Sequence, residues 1–215
     1  MQLLPQHAGV MPNKEESAYI RRHSSRLLST LSLVKALPVT SVLDVGAGSG
    51  GFLFLLPSSW RRVAVDSPLN AELAKERGIE SFGLDLEKDD LPLENNSFDL
   101  VTLLEVVEHI GNKKHVLAEI YRVLKENGHL VVTTPDAGML GWWIRDRILG
   151  APGIGKFVFR VRTGRFPDHL DSHKGCLREN ELTDLISSEG FVIVDRRRFK
   201  IFLPNDDIVL FGRKQ

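Results

Sequence analysis

Two acids, Asp44 and Asp66, frame a turn made almost wholly of small residues, Gly46-Ala47-Gly48-Ser49-Gly50-Gly51. Glycine suits a turn whose backbone must come close to a ligand, because no Cβ intrudes and a positive φ costs little. A helix opening over Gly51 to Leu56 points its first N–H groups at that turn and favours electron-rich ligand atoms. Asp66 follows Gly46 by twenty positions and closes an apolar run, where a carboxylate can accept hydrogen bonds from two ribose hydroxyls. The chemistry these residues serve is the binding of a nucleotide-like cofactor.

Gly46, Gly48 and Gly51 also satisfy the G-x-G-x-x-G spacing of dinucleotide sites, but that match is weak by itself. Asp44 argues for another ligand. A carboxylate two residues before the first glycine repels a pyrophosphate and tolerates a cationic sulfonium cofactor with an amino-acid end. A further acid, Asp85 in Gly83-Leu84-Asp85-Leu86, suits a donor such as the adenine amino group.

Groups able to move a proton cluster in Glu105-Val106-Val107-Glu108-His109-Ile110. Read as a helix, this stretch places Glu105, Glu108 and His109 at i, i+3 and i+4 on one face. His173 is a further candidate, and His169 and Asp168 are weaker candidates for a base. A base is needed only where the acceptor must lose a proton.

Positioning these residues requires strands that deliver loops to one edge. Strand-like runs are expected at Ser41–Val45, Arg62–Val65, Ser81–Leu84, Asp99–Leu104 and His129–Thr134. Helical patterns intervene at Leu69–Arg77 and at Lys113–Leu124, the latter stopped by Asn127-Gly128. Before them, Ile20, Leu27, Leu28, Leu31, Val34 and Leu37 recur at helical spacing up to Pro38. After residue 175 come a helix over Glu179–Ser188 and strands at Phe191–Phe199 and Asp207–Phe211, with Pro204-Asn205 between them favouring a hairpin. Strand and helix in alternation predict an α/β fold, a mostly parallel sheet covered by helices with an antiparallel last strand. Organisation follows as one domain: a loose tail over 1–13, an N-terminal helix over 14–38, a cofactor core over 40–135, an insertion or lid over 136–175, and a helix with hairpin over 176–215.

Composition narrows the function classes. Lys plus Arg and Asp plus Glu both number 28, so no bulk charge draws the chain to nucleic acid. One cysteine, Cys176, excludes an internal disulfide framework and fits a reducing cytosol. No apolar run reaches the roughly 18 residues of a membrane span, and no signal pattern opens the chain, so a cytoplasmic location is expected.

The landmarks Val42–Gly51, Val65-Asp66, Asp85-Leu86, Leu91-Pro92 through Phe98-Asp99, and Arg122–Gly128 stand in the order and spacing of the class I S-adenosylmethionine-dependent methyltransferases, which the chain resembles. The resemblance is dense over residues 40 to 135 and loose beyond. It implies a Rossmann-like seven-stranded sheet with helices on both faces and S-adenosyl-L-methionine as cofactor. Gly46, Gly48 and Gly50 then line the methionine and ribose portion, and Asp44 braces the loop near the cofactor's amino group. Asp66 holds the ribose, Asp85 with the Leu86 backbone grips adenine, and Leu103 lends its carbonyl to the amino group. One departure is Ser67, which follows the ribose acid where the family carries an apolar side chain on adenine; Leu86 or Leu69 is expected to do that packing.

Glu-x-x-Glu-His is similar to a motif of the ubiquinone-biosynthesis O-methyltransferases and of the small-RNA 2′-O-methyltransferases. In the latter, the acids and histidine join a distant histidine, here His169 or His173, around a divalent ion; many relatives with Glu-His hold no metal, and none is assigned here. Aromatic and basic residues mix in Gly141–Arg145 and Lys156–Arg162, so the 136–175 segment is expected to choose the acceptor. The expected acceptor is a small or lipid-like molecule, with peripheral membrane contact as an accessory outcome and no obligate protein partner evident; the alternative is a small subdomain whose aromatics form its own core and whose arginines are solvated. The expected activity is O-methylation, with a metal-using RNA ribose methyltransferase or a non-catalytic cofactor-binding protein as alternatives.

Overall fold

A computed structural model of the chain describes residues 24–136, 177–200 and 206–215. The tail over 1–13, the first part of the N-terminal helix, Cys176, His169, His173, the Pro204-Asn205 turn and all of the lid except Asp136 lie outside the described residues.

Among the described residues, twelve elements follow in order: α1 (Ser24–Lys35), β1 (Ser41–Val45), α2 (Gly51–Phe54), β2 (Arg61–Asp66), α3 (Pro68–Glu76), β3 (Glu80–Gly83), β4 (Phe98–Leu104), α4 (Lys113–Val123), β5 (Leu124–Pro135), α5 (Glu179–Ser188), β6 (Phe191–Lys200) and β7 (Asp206–Lys214). The strands form one seven-stranded sheet in the order β3-β2-β1-β4-β5-β7-β6. β3 to β5 pair in parallel, whereas β7 runs antiparallel to both β5 and β6. The expected architecture is therefore present.

Alternation along each strand sorts the core into two layers. Leu43, Val45, Val63, Val65, Val101 and Leu103 pack with Val116, Leu117 and Ile120 of α4 and with Leu182 and Ile186 of α5. Val42, Ala64, Leu100, Val131 and Val209 face the opposite way, onto Val34 of α1, Phe52 and Leu53 of α2, and Ala74 of α3. Helices thus cover both faces. Among the described residues no helix is long and apolar enough to cross a membrane.

Strand order reverses direction between β1 and β4, since β2 and β3 lie on one side and β5 on the other. At such a switch point the loops leaving the strand ends diverge and open a crevice. Asp99 secures the other end of this central pair. Its carboxylate accepts from the backbone N–H and hydroxyl of both Thr40 and Ser41 at 2.8–3.2 Å and from Lys125 Nζ at 2.7 Å.

One boundary differs from expectation. α4 ends at Val123, and the chain turns extended at Leu124 (φ −70°, ψ 138°) to pair with Phe98. Asn127-Gly128 instead serves the irregularity that follows, where pairing skips from Leu124 to His129. Asn127 is left-handed there (φ 61°), and a Cβ on Gly128 would stand 2.7 Å from the Lys125 carbonyl oxygen.

Arg122, in the last turn of α4, clasps the segment that leads into β4. Nε and Nη2 donate to the Glu119 carboxylate, Nη1 to the Leu93 carbonyl and Asn95 Oδ1, and Nη2 also to the Leu91 carbonyl, all at 2.7–2.9 Å. All five guanidinium donors are thereby used.

Candidate active site

The loops at the switch point enclose a cleft of about 740 Å³. Gly46 and Gly48 contribute from the loop after β1, and Asp66, Ser67 and Pro68 from the β2–α3 junction. Gly83, Leu84, Asp85, Leu86 and Asp89 follow β3, and Glu105, Val106 and His109 follow β4. Among the described residues, four carboxylates and one imidazole are the ionisable side chains of this lining, with no Lys or Arg. The cleft is therefore suited to a ligand carrying positive charge.

The glycine loop is held from several directions. The N–H groups of Gly46 and Ala47 donate to the Val65 carbonyl at 2.8 and 3.2 Å, and Arg77 Nη1 reaches back to the Ser49 carbonyl and hydroxyl, both at 3.0 Å. Gly46 has φ +76°, and a Cβ there would run into the Val106 side chain. Gly48 has φ +53°, and the space its Cβ would occupy contains no atom within 4 Å. One glycine thus permits close packing, and the other leaves room for a ligand.

Asp66 meets the cleft in a fixed orientation. Its Oδ2 accepts from Gly48 N at 2.8 Å, and its Oδ1 accepts from Ser67 N and Asn70 Nδ2, both at 2.7 Å. Asp85 lines the cleft but also closes its own turn: Oδ1 accepts from Glu87 N at 3.1 Å and Oδ2 from Lys88 Nζ at 2.6 Å. Asp89 Oδ2 accepts from Asp85 N at 2.8 Å. Of the two side chains expected against adenine, Leu86 lines the cleft, whereas Leu69, 75% exposed, does not.

Three expected cofactor residues lie behind the lining. Asp44 is buried and accepts from Thr102 Oγ1 at 2.6 Å. Burial pushes its carboxyl up to about 7 against that hydrogen bond, and the nearby charge of Asp66 adds to the rise. Gly50 is buried, and its absent Cβ accommodates Ile79, whose Cδ1 would stand only 2.7 Å away. Leu103 is buried in β4, paired with Val132.

The stretch after β4 is not helical, which corrects the expected common face of Glu105, Glu108 and His109. Glu105 N donates to the Thr133 carbonyl at 2.9 Å, so sheet pairing persists one residue past the strand and prevents a helix from starting there. Glu105 takes a left-handed conformation (φ 58°), and its Oε1 accepts from Thr133 Oγ1 at 2.9 Å. Glu108 is buried with its Oε2 accepting from Thr134 Oγ1 at 3.0 Å. Glu105 and His109 line the cleft and Glu108 does not; among the described residues these three do not converge as a metal-ligand group. A non-glycine left-handed residue in a cleft is the kind of local strain that functional sites retain.

Ser67, Pro68, Gly83, Leu84, Asp89 and Val106 escaped sequence reasoning as lining residues. Gly83 carried a readable signal: a Cβ there would lie 2.6 Å from Pro68 Cα, so only glycine lets β3 approach the start of α3.

The cleft fits S-adenosylmethionine. It offers a glycine cradle with open space at Gly48, a preoriented acid at Asp66, an apolar side chain at Leu86, and a lining rich in carboxylates for a sulfonium and ammonium group.

Comparison with known proteins agrees. Residues 43–132 match the methyltransferase domain family. The chain is 37% identical over 175 residues to the ubiquinone/menaquinone biosynthesis C-methyltransferase UbiE of Desulfotalea psychrophila, covering 74% of this chain and 69% of that protein. It is 28% identical over 215 residues to the glycine/sarcosine/dimethylglycine N-methyltransferase of Actinopolyspora halophila, covering 85% of this chain but only 38% of that relative's length. A SAM-dependent methyltransferase of Thermotoga maritima shares the fold with a TM-score of 0.65 at 23% identity, covering 94% of this chain and 95% of that one. The chain therefore belongs to the class I S-adenosylmethionine-dependent methyltransferases.

Proposed function

We propose that the chain transfers a methyl group from S-adenosylmethionine to an oxygen of a small or lipid-linked acceptor that enters beside Glu105 and His109. The observation supporting this reading is that Glu105 and His109 line the same cleft as Gly48 and Asp66. The cofactor supplies an electrophilic methyl group on a sulfonium centre. The chain supplies alignment, which alone is worth large effective molarities. A hydroxyl acceptor must also lose its proton, and a carboxylate and an imidazole are suitable receivers.

An amine acceptor is the second reading, favoured by the four carboxylates of the lining. Such a lining attracts ammonium groups and repels carboxylates and phosphates. Incubating the full chain with methyl-labelled S-adenosylmethionine and two acceptor panels, phenols or quinols and small amines, separates the readings. Label in ether-type products supports oxygen transfer, and label in methylamines replaces it with nitrogen transfer. A rate with the best phenol unaltered by Glu105→Gln and His109→Asn overturns the role given to these two residues.

A further inference from the structure

Side chains along the seam of β4 and β5 alternate between the two layers of the core. Leu104 pairs with Thr133, and Thr133 with Val209, on the face covered by α1, α2 and α3. Thr134 pairs with Ile208 on the face covered by α4 and α5. An extended Glu105 would continue the alternation and send its side chain to that second face, with Leu103. The left-handed backbone at Glu105 breaks the alternation, and Thr133 holds the residue twice. The Thr133 carbonyl accepts from Glu105 N, and its hydroxyl donates to Glu105 Oε1, both at 2.9 Å. Thr133 is buried and does not line the cleft, so its influence on a ligand passes through Glu105. Thr134 makes the matching bond to Glu108 Oε2 at 3.0 Å, but Glu108 does not line the cleft.

We propose that Thr133 is the positioning residue for proton transfer, fixing Oε1 so that the Glu105 carboxylate faces the acceptor. The proposal rests on the oxygen-transfer reading above and deepens it by naming what orients the proton receiver. As the acceptor oxygen bonds to the methyl carbon, the carbon–sulfur bond breaks and leaves its electron pair on sulfur. The hydroxyl proton passes to Glu105 in the same event. Orientation matters here because a misplacement of about 1 Å can cost on the order of a hundredfold in rate.

Initial rates with the fastest member of the phenol and quinol panel, beside calorimetric titration with S-adenosylhomocysteine, test this on the full chain. Thr133→Val keeps the side-chain shape and loses the donor. Its kcat should fall roughly ten- to a hundredfold, while S-adenosylhomocysteine affinity stays within about threefold. Thr133→Ser keeps the hydroxyl, and Thr134→Val strips the same bond from Glu108 instead; both should stay within about threefold of the parent rate. In a Glu105→Gln background, Thr133→Val should slow the reaction no further, because the group it positions is gone. Losses that multiply in the double variant overturn the positioning role, as do an unaltered Thr133→Val rate or a serine variant as slow as the valine one. A fall in kcat matched by an equal fall in S-adenosylhomocysteine affinity marks a general disturbance and overturns it too. A parent rate kept in Glu105→Gln, or no transfer to any phenol or quinol, refutes the oxygen-transfer reading itself, and the proposal with it.

Discussion

Thr102 donates its hydroxyl hydrogen to Asp44 Oδ1 at 2.6 Å, linking two register partners of the central parallel pair inside the sheet. Both side chains are buried, and their strands aim them at the layer formed by α1, α2 and α3. An acid in this place is costly to ionise. The loop it precedes nevertheless depends on the strand end it occupies.

Stability should therefore carry a pH signature from Asp44. Its folded-state carboxyl keeps its proton up to about 7, while the unfolded chain releases it near the ordinary value of 3.8. Folding takes up a proton between these limits, so stability falls as pH rises from about 4 to about 7 and levels off above. Asp44→Asn removes this dependence. At pH 8 the variant should be the more stable by roughly 4 kcal/mol, with the gain vanishing toward pH 4. Urea melts of both proteins at several pH values check it; a constant difference across the range contradicts the assignment.

Asp99 has the opposite sign. Burial alone would raise its carboxyl, but the bonds from Lys125, Thr40 and Ser41 override it and hold it well below the usual carboxylate range. The stability it contributes is present above pH 4 and is lost as pH falls below that. Asp99→Ala strands donors of two strands and should cost about 2–4 kcal/mol at pH 7. Its deficit against the native chain should shrink in acid, which thermal melts followed by circular dichroism will show.

The left-handed backbone at Glu105 separates strain from chemistry. Glycine relieves the conformation and alanine does not, so Glu105→Gly should be more stable than Glu105→Ala by roughly 1 kcal/mol. Both variants should be impaired alike in methyl transfer, because both lack the carboxylate. Equal melting temperatures would deny the strain.

For Arg122→Lys a loss of about 2–3 kcal/mol is expected, since one ammonium cannot reproduce five donors in a planar fork. Amide exchange should quicken over residues 91–95, where Arg122 holds the carbonyls of Leu91 and Leu93. Protection unchanged in that segment would count against the clasp.

Local pattern made much of this legible. β1, β2, β4 and β5 announce themselves through apolar runs, because buried parallel strands need both faces apolar. The glycine turn and the acid twenty residues on are equally local signals. What escaped depends on partners distant in the chain. Nothing between Glu105 and Ile110 reveals that Thr133, 28 residues away, captures the Glu105 side chain and extends the sheet. Likewise α4 stops at Val123 because Leu124 is claimed by Phe98, although Asn127-Gly128 looks the better stop locally. Leu86 and Leu69 look alike as apolar candidates, but Leu86 follows β3 and lines the cleft, whereas Leu69, in the first turn of α3, stands in solvent.

The Asp99 knot also has a consequence in time. Ser41 and Asp99 are 58 positions apart, and their bonds set where β1 meets β4. Parallel pairing over such a separation is slow, because the intervening chain must first be gathered. On the ribosome, where chains emerge N-terminus first, β1 therefore waits for β4 before its register is settled. The nascent chain acquires a competent glycine loop only once β4, some 58 positions beyond the start of β1, has been made.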